Sequence, residues 1–347
     1  MPASRTISDI RLVNGSTGDP GLFIDYPGRN DAILFDAGDN AGLGMDRLGD
    51  LEAVFITHHH VDHFIGFDRI VRANLDRDKT LQVFGPEGTI AKVYGKIKSY
   101  EYPFFPFQKI VIDVHEVLAT QIRTARLECT RRFPRPKVHE VNWAEPLIYE
   151  TDDLKVEAAH VDHTVPCLAF ALVEKPGFAP DSTRLAGTSF PRGPWINEAL
   201  KLLRAGAPLE TVLMIKGQAR LLGELKDQYF TQSPGSRIAY VTDTAWSEAV
   251  RPALLRLAGG ANRLYCDAFY AQEQIQQADK HHHMTATQAA EFALAAGVEE
   301  LILIHFSTRY EGRFDDLVEE ARASFSHVTA EIPPVRQKKS TRSANPS

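Results

Sequence analysis

Residues 57 to 63 read Thr-His-His-His-Val-Asp-His, directly after the apolar run Ala53-Val54-Phe55-Ile56. A buried strand that ends in four potential metal ligands must finish at an open rim, and other parts of the chain must converge there. Alternate side chains at a strand end splay to two sides, so His58 and His60 face one point while Asp62 and His63 turn toward a second. Imidazole nitrogen and carboxylate oxygen are the donors that suit zinc and its borderline neighbours. A solvated His-rich loop is the plain alternative, and it requires nothing downstream. A two-metal hydrolytic centre requires about three more ligands, each at a strand end.

Three segments meet that requirement. His163 lies in Val161-Asp-His-Thr-Val-Pro-Cys167, after the alternating run from Leu154 to Ala159. Asp243 closes the apolar run Arg237-Ile-Ala-Tyr-Val-Thr242, and its carboxylate can bridge two ions. His305 closes Leu301-Ile-Leu-Ile304. Taken singly, each is explained by a capping aspartate or a core histidine; repeated three times, the pattern points to one site.

In this order the ligands resemble the metallo-β-lactamase superfamily, and within it ribonuclease Z, the tRNA 3′-processing endonuclease. His305-Phe-Ser-Thr-Arg-Tyr310 is similar to that family's His-Phe-Ser-x-Arg-Tyr segment, and His283-Met-Thr-Ala286 with Gln288-Ala-Ala to its His-x-Thr-Ala motif. Gly193-Pro-Trp195 and the following Leu200-Lys201 resemble the Gly-Pro-x-x-x-x-Leu-Lys stretch of its substrate arm. The likeness runs from about residue 10 to 325. Two places depart from it. Arg11-Leu-Val-Asn-Gly-Ser-Thr-Gly18 stands where the family has a Phe-Leu-Gly-Thr-Gly-like opening, and Cys266-Asp267-Ala268-Phe269 stands for His-Glu-Ala-Thr, its acid one methylene shorter.

The resemblance implies an α/β fold, a four-layer αββα sandwich. Residues 1–330 then form one domain, with 174–194 as an arm or loop excursion and 331–347 as a disordered tail. Periodicity places strands near 31–36, 53–57, 81–84, 109–117, 154–160, 168–173, 237–242, 263–266 and 300–305, and helices near 64–75, 196–205, 247–258, 286–296 and 314–324. Thr285 is the expected N-cap of the 286–296 helix. No leader or membrane-spanning run is expected, and three cysteines in dissimilar contexts fit free thiols in a cytoplasmic protein.

For the chemistry, His58, His60 and His163 are expected to hold one ion and Asp62, His63 and His305 the other, with Asp243 between them. The cofactor is two zinc ions per chain, and manganese or iron suit the same donors. Asp62 is the expected acceptor of the nucleophile's proton. The resemblance further implies His283 as donor to the leaving oxygen, oriented by Asp267, and a homodimer. Asp36 in Leu34-Phe-Asp-Ala-Gly38 is similar to the superfamily's Asp-x-Gly turn and reads as support for the metal loop. The substrate is a phosphodiester, with precursor tRNA leading. A cyclic-nucleotide phosphodiesterase, an arylsulfatase and an esterase are the alternatives, and a non-catalytic metal-bearing scaffold stands behind them because no ligand is missing. The net charge of -6 cuts against RNA, since phosphate contacts favour a basic face. Arg123, Arg126, Arg131, Arg132, Arg135 and Lys137 cluster locally, and such a run reads first as a solvated face.

Overall fold

The computed structural model describes residues 9–25, 31–102, 104, 107–143, 146–187 and 193–332. Its first half is an eight-stranded sheet in sequence order: β1 (Asp9–Leu12), β2 (Leu22–Asp25), β3 (Ala32–Phe35), β4 (Leu51–Phe55), β5 (Thr80–Gly85), β6 (Val111–Val117), β7 (Gln121–Glu128) and β8 (Val138–Asn142). Strands β3 to β6 are parallel, and antiparallel strands flank them. The connections carry α1 (Met45–Gly49), α2 (Val61–Phe64), α3 (Phe67–Asn74) and α4 (Thr89–Lys98).

The second half opens with β9 (Leu147–Glu150), β10 (Leu154–Val161) and β11 (Cys167–Glu174). An insertion follows, made of β12 (Gly177–Pro180), α5 (Ser182–Ala186), α6 (Pro194–Arg204), β13 (Val212–Ile215), β14 (Gln218–Leu221), α7 (Leu222–Tyr229) and β15 (Phe230–Ser233). The chain then runs through β16 (Arg237–Val241), α8 (Arg251–Ala258), β17 (Arg263–Asp267), α9 (Ile275–His281), α10 (Ala286–Ala296), β18 (Glu300–Ile304), α11 (Phe314–Arg322) and β19 (Val328–Thr329). The second sheet has the order β19-β18-β17-β16-β11-β10-β9.

The period of two along each strand builds the layers. Leu22, Ile24, Ile33, Phe35, Ala53 and Phe55 face the space between the sheets, where they meet Leu168, Phe170, Leu172, Ile238, Tyr240, Ile302 and Ile304. Their neighbours Phe23, Leu34, Val54 and Ile56 face outward and pack under α3 and α4, on Phe67, Ile70, Val93 and Ile97. On the other sheet Ala169, Ala171, Ala239, Val241, Leu301 and Leu303 face outward beneath α8, α10 and α11. The result is helix, sheet, sheet, helix. Alanines meet alanines where α10 crosses its sheet (Ala286, Ala289, Ala290, Ala293), which permits close approach.

Several boundaries differ from the sequence expectation. The 64–75 helix is two helices broken at Ile65-Gly66, where the Gly66 N–H donates to the Ala37 carbonyl at 2.8 Å, an approach to the 37–40 turn too close for any side chain. The 247–258 helix begins only at Arg251. The excursion drawn at 174–194 extends from Gly177 to Ser233 and has its own apolar cluster, including Trp195, Leu200, Leu213, Leu222 and Phe230. Its ends meet as an antiparallel pair, Gly177 opposite Ser233. Of the tail drawn at 331–347, positions 333–347 lie outside the described residues. Glu331 is hydrogen-bonded to Ser16 through both backbone groups, at 2.8 Å each. Among the described residues no helix is long and apolar enough to cross a membrane.

Candidate metal centre

Strands β3, β4, β10, β16, β17 and β18 end at the same rim. Asp36, Asp243 and His305 follow β3, β16 and β18 and have positive φ angles of 56°, 52° and 60°. This left-handed backbone turns the chain sharply at the strand end and directs the side chain over the rim, at a steric cost that glycine would avoid. The loop after β4 carries His58 and His60, and α2 carries Asp62 and His63. His163 comes from the end of β10, Asp267 ends β17, and His283 stands between α9 and α10.

The structure gathers all of these side chains. Four overlapping sets place their donor atoms within 4.8 Å of one another: His58, His60 and His163; His58, His63 and Asp243; Asp62, His63 and His305; and Asp243, His283 and His305. His59, between two of them, turns away and meets Thr89 Oγ1 at 3.0 Å. Burial, with the charge of Lys92, pushes its imidazole down to about 3.

The surroundings fix which nitrogen each histidine presents. Thr57 Oγ1 donates to Asp36 (2.8 and 2.9 Å to the two oxygens), so its lone pairs are left for His58 Nδ1–H at 3.1 Å. Nε2 of His58 then faces the site with a lone pair. His63 Nδ1 donates to Asp36 Oδ2 at 2.8 Å, leaving Nε2 at 3.2 Å from Asp243 and 3.5 Å from Asp62. His163 Nδ1 donates to the His282 carbonyl at 3.3 Å, leaving Nε2 at 3.5 Å from His60 Nδ1. Asp36 is fully buried and also accepts from Thr57 N (2.7 Å) and Tyr240 OH (3.1 Å). A carboxylate behind a ligating imidazole is the usual way that a tautomer is held.

A cation fits this donor set on two grounds. His58 Nε2, His63 Nε2 and His305 Nδ1 are buried without a hydrogen-bond partner, and buried polar atoms rarely remain so. The acids also crowd the histidines. Burial alone would lower His63, but Asp243 and Asp36 outweigh it and hold it at about 10. His305 is likewise raised well above the imidazole range, against burial, by the nearby carboxylates of Asp243 and Asp267 and by its bond to Asp62. Burial would raise Asp243, yet His305 and His63 keep it well below the carboxylate range. His58, buried beside His63, is pushed down to about 2. Positive charge is wanted here, and protons supply it in the metal-free protein.

At one side of the cluster His283 Nδ1 meets Asp267 Oδ2 at 2.9 Å. Burial would lower His283, but Asp267 raises it through its charge and this bond. Asp267 is itself held by Phe269 N (3.1 Å) and Met284 N (3.2 Å). The Phe269 ring stacks on His283, with centroids 4.3 Å apart and planes 16° off parallel. Thr57, Asp162, Tyr240 and Phe269 lie inside the sequence segments that carry the ligands and the resemblance but have no expected role there, and His282 lies outside those segments; all five adjoin the site. Positive φ at His282 is a backbone signal that the sequence does not carry.

Within the basic window Arg131, Arg132, Arg135 and Lys137 are exposed, and Arg123 and Arg126 are paired with acids. Arg123 pairs with Glu140 (2.7 Å) and Glu116 (3.7 Å), and Arg126 pairs with Asp113 (3.0 Å), across β6, β7 and β8.

Comparison with known proteins bears on the same geometry. Residues 22–77 match the metallo-beta-lactamase superfamily and residues 228–306 match a beta-lactamase superfamily domain. Ribonuclease Z of Deinococcus radiodurans is 30% identical over 300 residues, covering 84% of this chain and 88% of its own length. Ribonuclease Z of Synechococcus sp. (strain CC9311) is 30% identical over 318 residues, covering 87% of each. Among solved structures, the metallo-beta-lactamase fold protein YhfI from Bacillus subtilis matches with a TM-score of 0.54 at 14% identity, over 92% of this chain and 93% of that one. The short form of human tRNase Z matches with a TM-score of 0.52 at 17% identity, over 87% and 93%. These two structural likenesses speak to the fold.

Proposed function

The chain belongs to the ribonuclease Z family of metal-dependent hydrolases, and from that premise we propose a dinuclear zinc endoribonuclease that removes the 3′ trailer of precursor tRNA. The observation that carries this reading is the convergence of His58, His60, Asp62, His63, His163, Asp243 and His305 from four separate strand ends, with His283 and Asp267 beside them. Two cations held by these seven residues would supply Lewis-acid activation of water and neutralise charge on the attacked phosphodiester.

The chain's own groups account for the protons. Asp62 lies at the rim with Oδ2 3.4 Å from His305 Nε2. It is held at about 2, because bonds to His305 and the charge of His63 outweigh its burial. As an ionised carboxylate at the rim it is placed to accept the proton of the attacking water. Water forms the new bond to phosphorus, and the bond from phosphorus to the 3′-oxygen of the tRNA breaks. His283 Nε2–H protonates that oxygen, while Asp267 fixes Nδ1 and keeps the imidazolium populated. The products are a tRNA 3′-hydroxyl and a trailer with a 5′-phosphate.

The same reading extends to a cytoplasmic homodimer in which the 177–233 insertion of one subunit serves its neighbour. Three buried free thiols support the location, and exposed Val212, Met214 and Leu221 on the β13–β14 hairpin support an interface. Light scattering after size-exclusion chromatography tests it; a monomeric mass argues against the dimer.

The pairing of Arg123 and Arg126 with acids favours one second reading, a phosphodiesterase for small substrates. Zinc-loaded protein is given precursor tRNA with a 3′ trailer and, separately, bis(p-nitrophenyl) phosphate. Cleavage just after the discriminator base supports the endoribonuclease. Hydrolysis of the small ester with the RNA left intact replaces it by the second reading.

A further inference from the structure

The C-terminus of α10 ends on a left-handed residue, Gly297 (φ 65°), as helices commonly do. Helix α9 ends in the same conformation, but the residue is His282 (φ 55°, ψ 49°). Glycine takes this conformation without steric cost and a histidine does not. The side chain therefore costs stability at that position, and its contacts show what it does instead.

His282 Nδ1 meets Asp162 Oδ1 at 3.0 Å. Asp162 is fixed on three other sides: its N–H donates to Thr244 Oγ1 (3.2 Å), its carbonyl accepts from Ala245 N (3.1 Å), and Oδ2 accepts from Ser247 Oγ (3.4 Å). The main chain of His282 completes the circuit, because its carbonyl accepts from His163 Nδ1 at 3.3 Å. One residue thus joins the end of β10, which supplies His163, to the segment after Asp243 and to His283. Its side chain clamps Asp162, and the clamp sets the direction in which its own carbonyl points.

We infer that His282 is a positioning residue that holds His163 in the Nδ1–H tautomer and His283 over the site by locking the 282 peptide against Asp162. The part that concerns His283 rests on the proton-donor reading above; the part that concerns His163 rests only on its place among the metal-facing nitrogens. The substitution His282→Gly tests it, because it keeps the carbonyl and the left-handed turn and removes only the clamp. His282→Asn keeps a short donor that tolerates the same backbone.

Three measurements on the full chain decide the matter: the thermal midpoint of the metal-free protein, zinc affinity by chelator competition, and turnover of precursor tRNA beside bis(p-nitrophenyl) phosphate. Removal of an outer partner of a ligating histidine typically weakens metal binding by about 10- to 100-fold. The expected result for His282→Gly is zinc binding about tenfold weaker with a midpoint no lower than wild type, and His282→Asn recovering most of the affinity. Turnover of the RNA should fall further than turnover of the nitrophenyl ester. Wild-type zinc affinity in His282→Gly overturns the inference. So does a lowered midpoint that His282→Asn fails to restore, since that marks a structural cap. His283→Ala separates the two readings. Equal losses on both substrates remove the proton-donor role and leave the zinc result standing; a split there without one in His282→Gly overturns the positioning of His283 alone.

Discussion

At the residue scale the centre depends on side chains that touch no substrate. Asp36 is the clearest. It is fully buried, takes positive φ, and gathers Thr57, His63 and Tyr240 around one carboxylate. Asp36→Asn exchanges one acceptor oxygen for a donor that faces other donors. It should weaken zinc binding by about 10- to 100-fold and lower stability by about 1–3 kcal/mol, the cost of leaving a buried polar group unpaired. Chelator competition and urea denaturation measure the two effects, and an unchanged zinc affinity would dismiss Asp36 as a support. The proposed proton donor, His283, gives a second test. Asp267 raises His283, so the protonated form persists above the ordinary imidazole range. Activity that needs that proton falls as pH rises through the raised value. Asp267→Asn should bring this alkaline limb to lower pH and reduce kcat by about 10- to 100-fold, within the range of general-acid contributions. A pH–kcat profile whose alkaline limb stays in place speaks against the pair. The residues that converge at the rim could be picked out in the sequence because each lies just past an apolar strand. Tyr240 was not: its bond to Asp36 joins positions 204 apart, and nothing local marks it.

At the scale of elements, legibility followed hydrophobic period. The strands β3 to β6, β10, β11 and β16 to β18 stand where their runs placed them: β3, β4, β11 and β16 to β18 read as near-continuous apolar stretches, as strands covered on both faces do, and β6 and β10 read by alternation. Strand β8 escaped: all of its residues are exposed, so no alternation betrays it. Helix α4 has a usable stripe, Ile90, Val93 and Ile97, yet it opens on a glycine with no side-chain cap and gives no start signal. The insertion was underdrawn because its Pro- and Gly-rich beginning hides short elements whose apolar residues meet only in three dimensions. Helix α10 is the opposite case. Thr285 accepts from Gln288 N while the Gln288 side chain accepts from Thr285 N, a complete capping box, and Thr285 Oγ1 donates to Gln272 Oε1 at 2.7 Å. Thr285→Ala should therefore cost about 1 kcal/mol in chemical denaturation, and because His283 lies two residues upstream, kcat should drop with it. A full-stability variant would mean that packing of the alanine face holds the helix start without its cap.

At the scale of the whole molecule, the central question is how a sandwich tolerates so many acids and imidazoles at one rim without its cations. The histidines answer it in two opposing ways, and both signs can be worked out. His63 is raised from 6.5 to about 10 in the folded protein, against its burial, by Asp243 and Asp36. The folded state then binds a proton that the unfolded state gives up, so this stabilisation is complete below pH 6.5 and is lost as pH climbs toward 10. His58 is lowered from 6.5 to about 2 by burial and by the charge of His63. Its folded state refuses a proton that the unfolded chain accepts, so its contribution fades as pH falls below 6.5. The metal-free protein should be most stable near pH 6.5 and weaken on either side. On the dinuclear-zinc reading proposed above, zinc should reverse the alkaline limb, since ligation would displace the protons on His63 and His305 and tighten as they leave more easily. The difference in thermal midpoint between zinc-loaded and metal-free protein should widen steadily from pH 6.5 to pH 9, and the added stability should be about 4 kcal/mol wherever free zinc exceeds its dissociation constant a thousandfold. Melting curves of both forms across that range are the check. A metal-free midpoint that stays flat above pH 6.5 would show that the carboxylates of Asp36 and Asp243 do not hold a proton on His63, and the electrostatic account of the rim would have to be rebuilt.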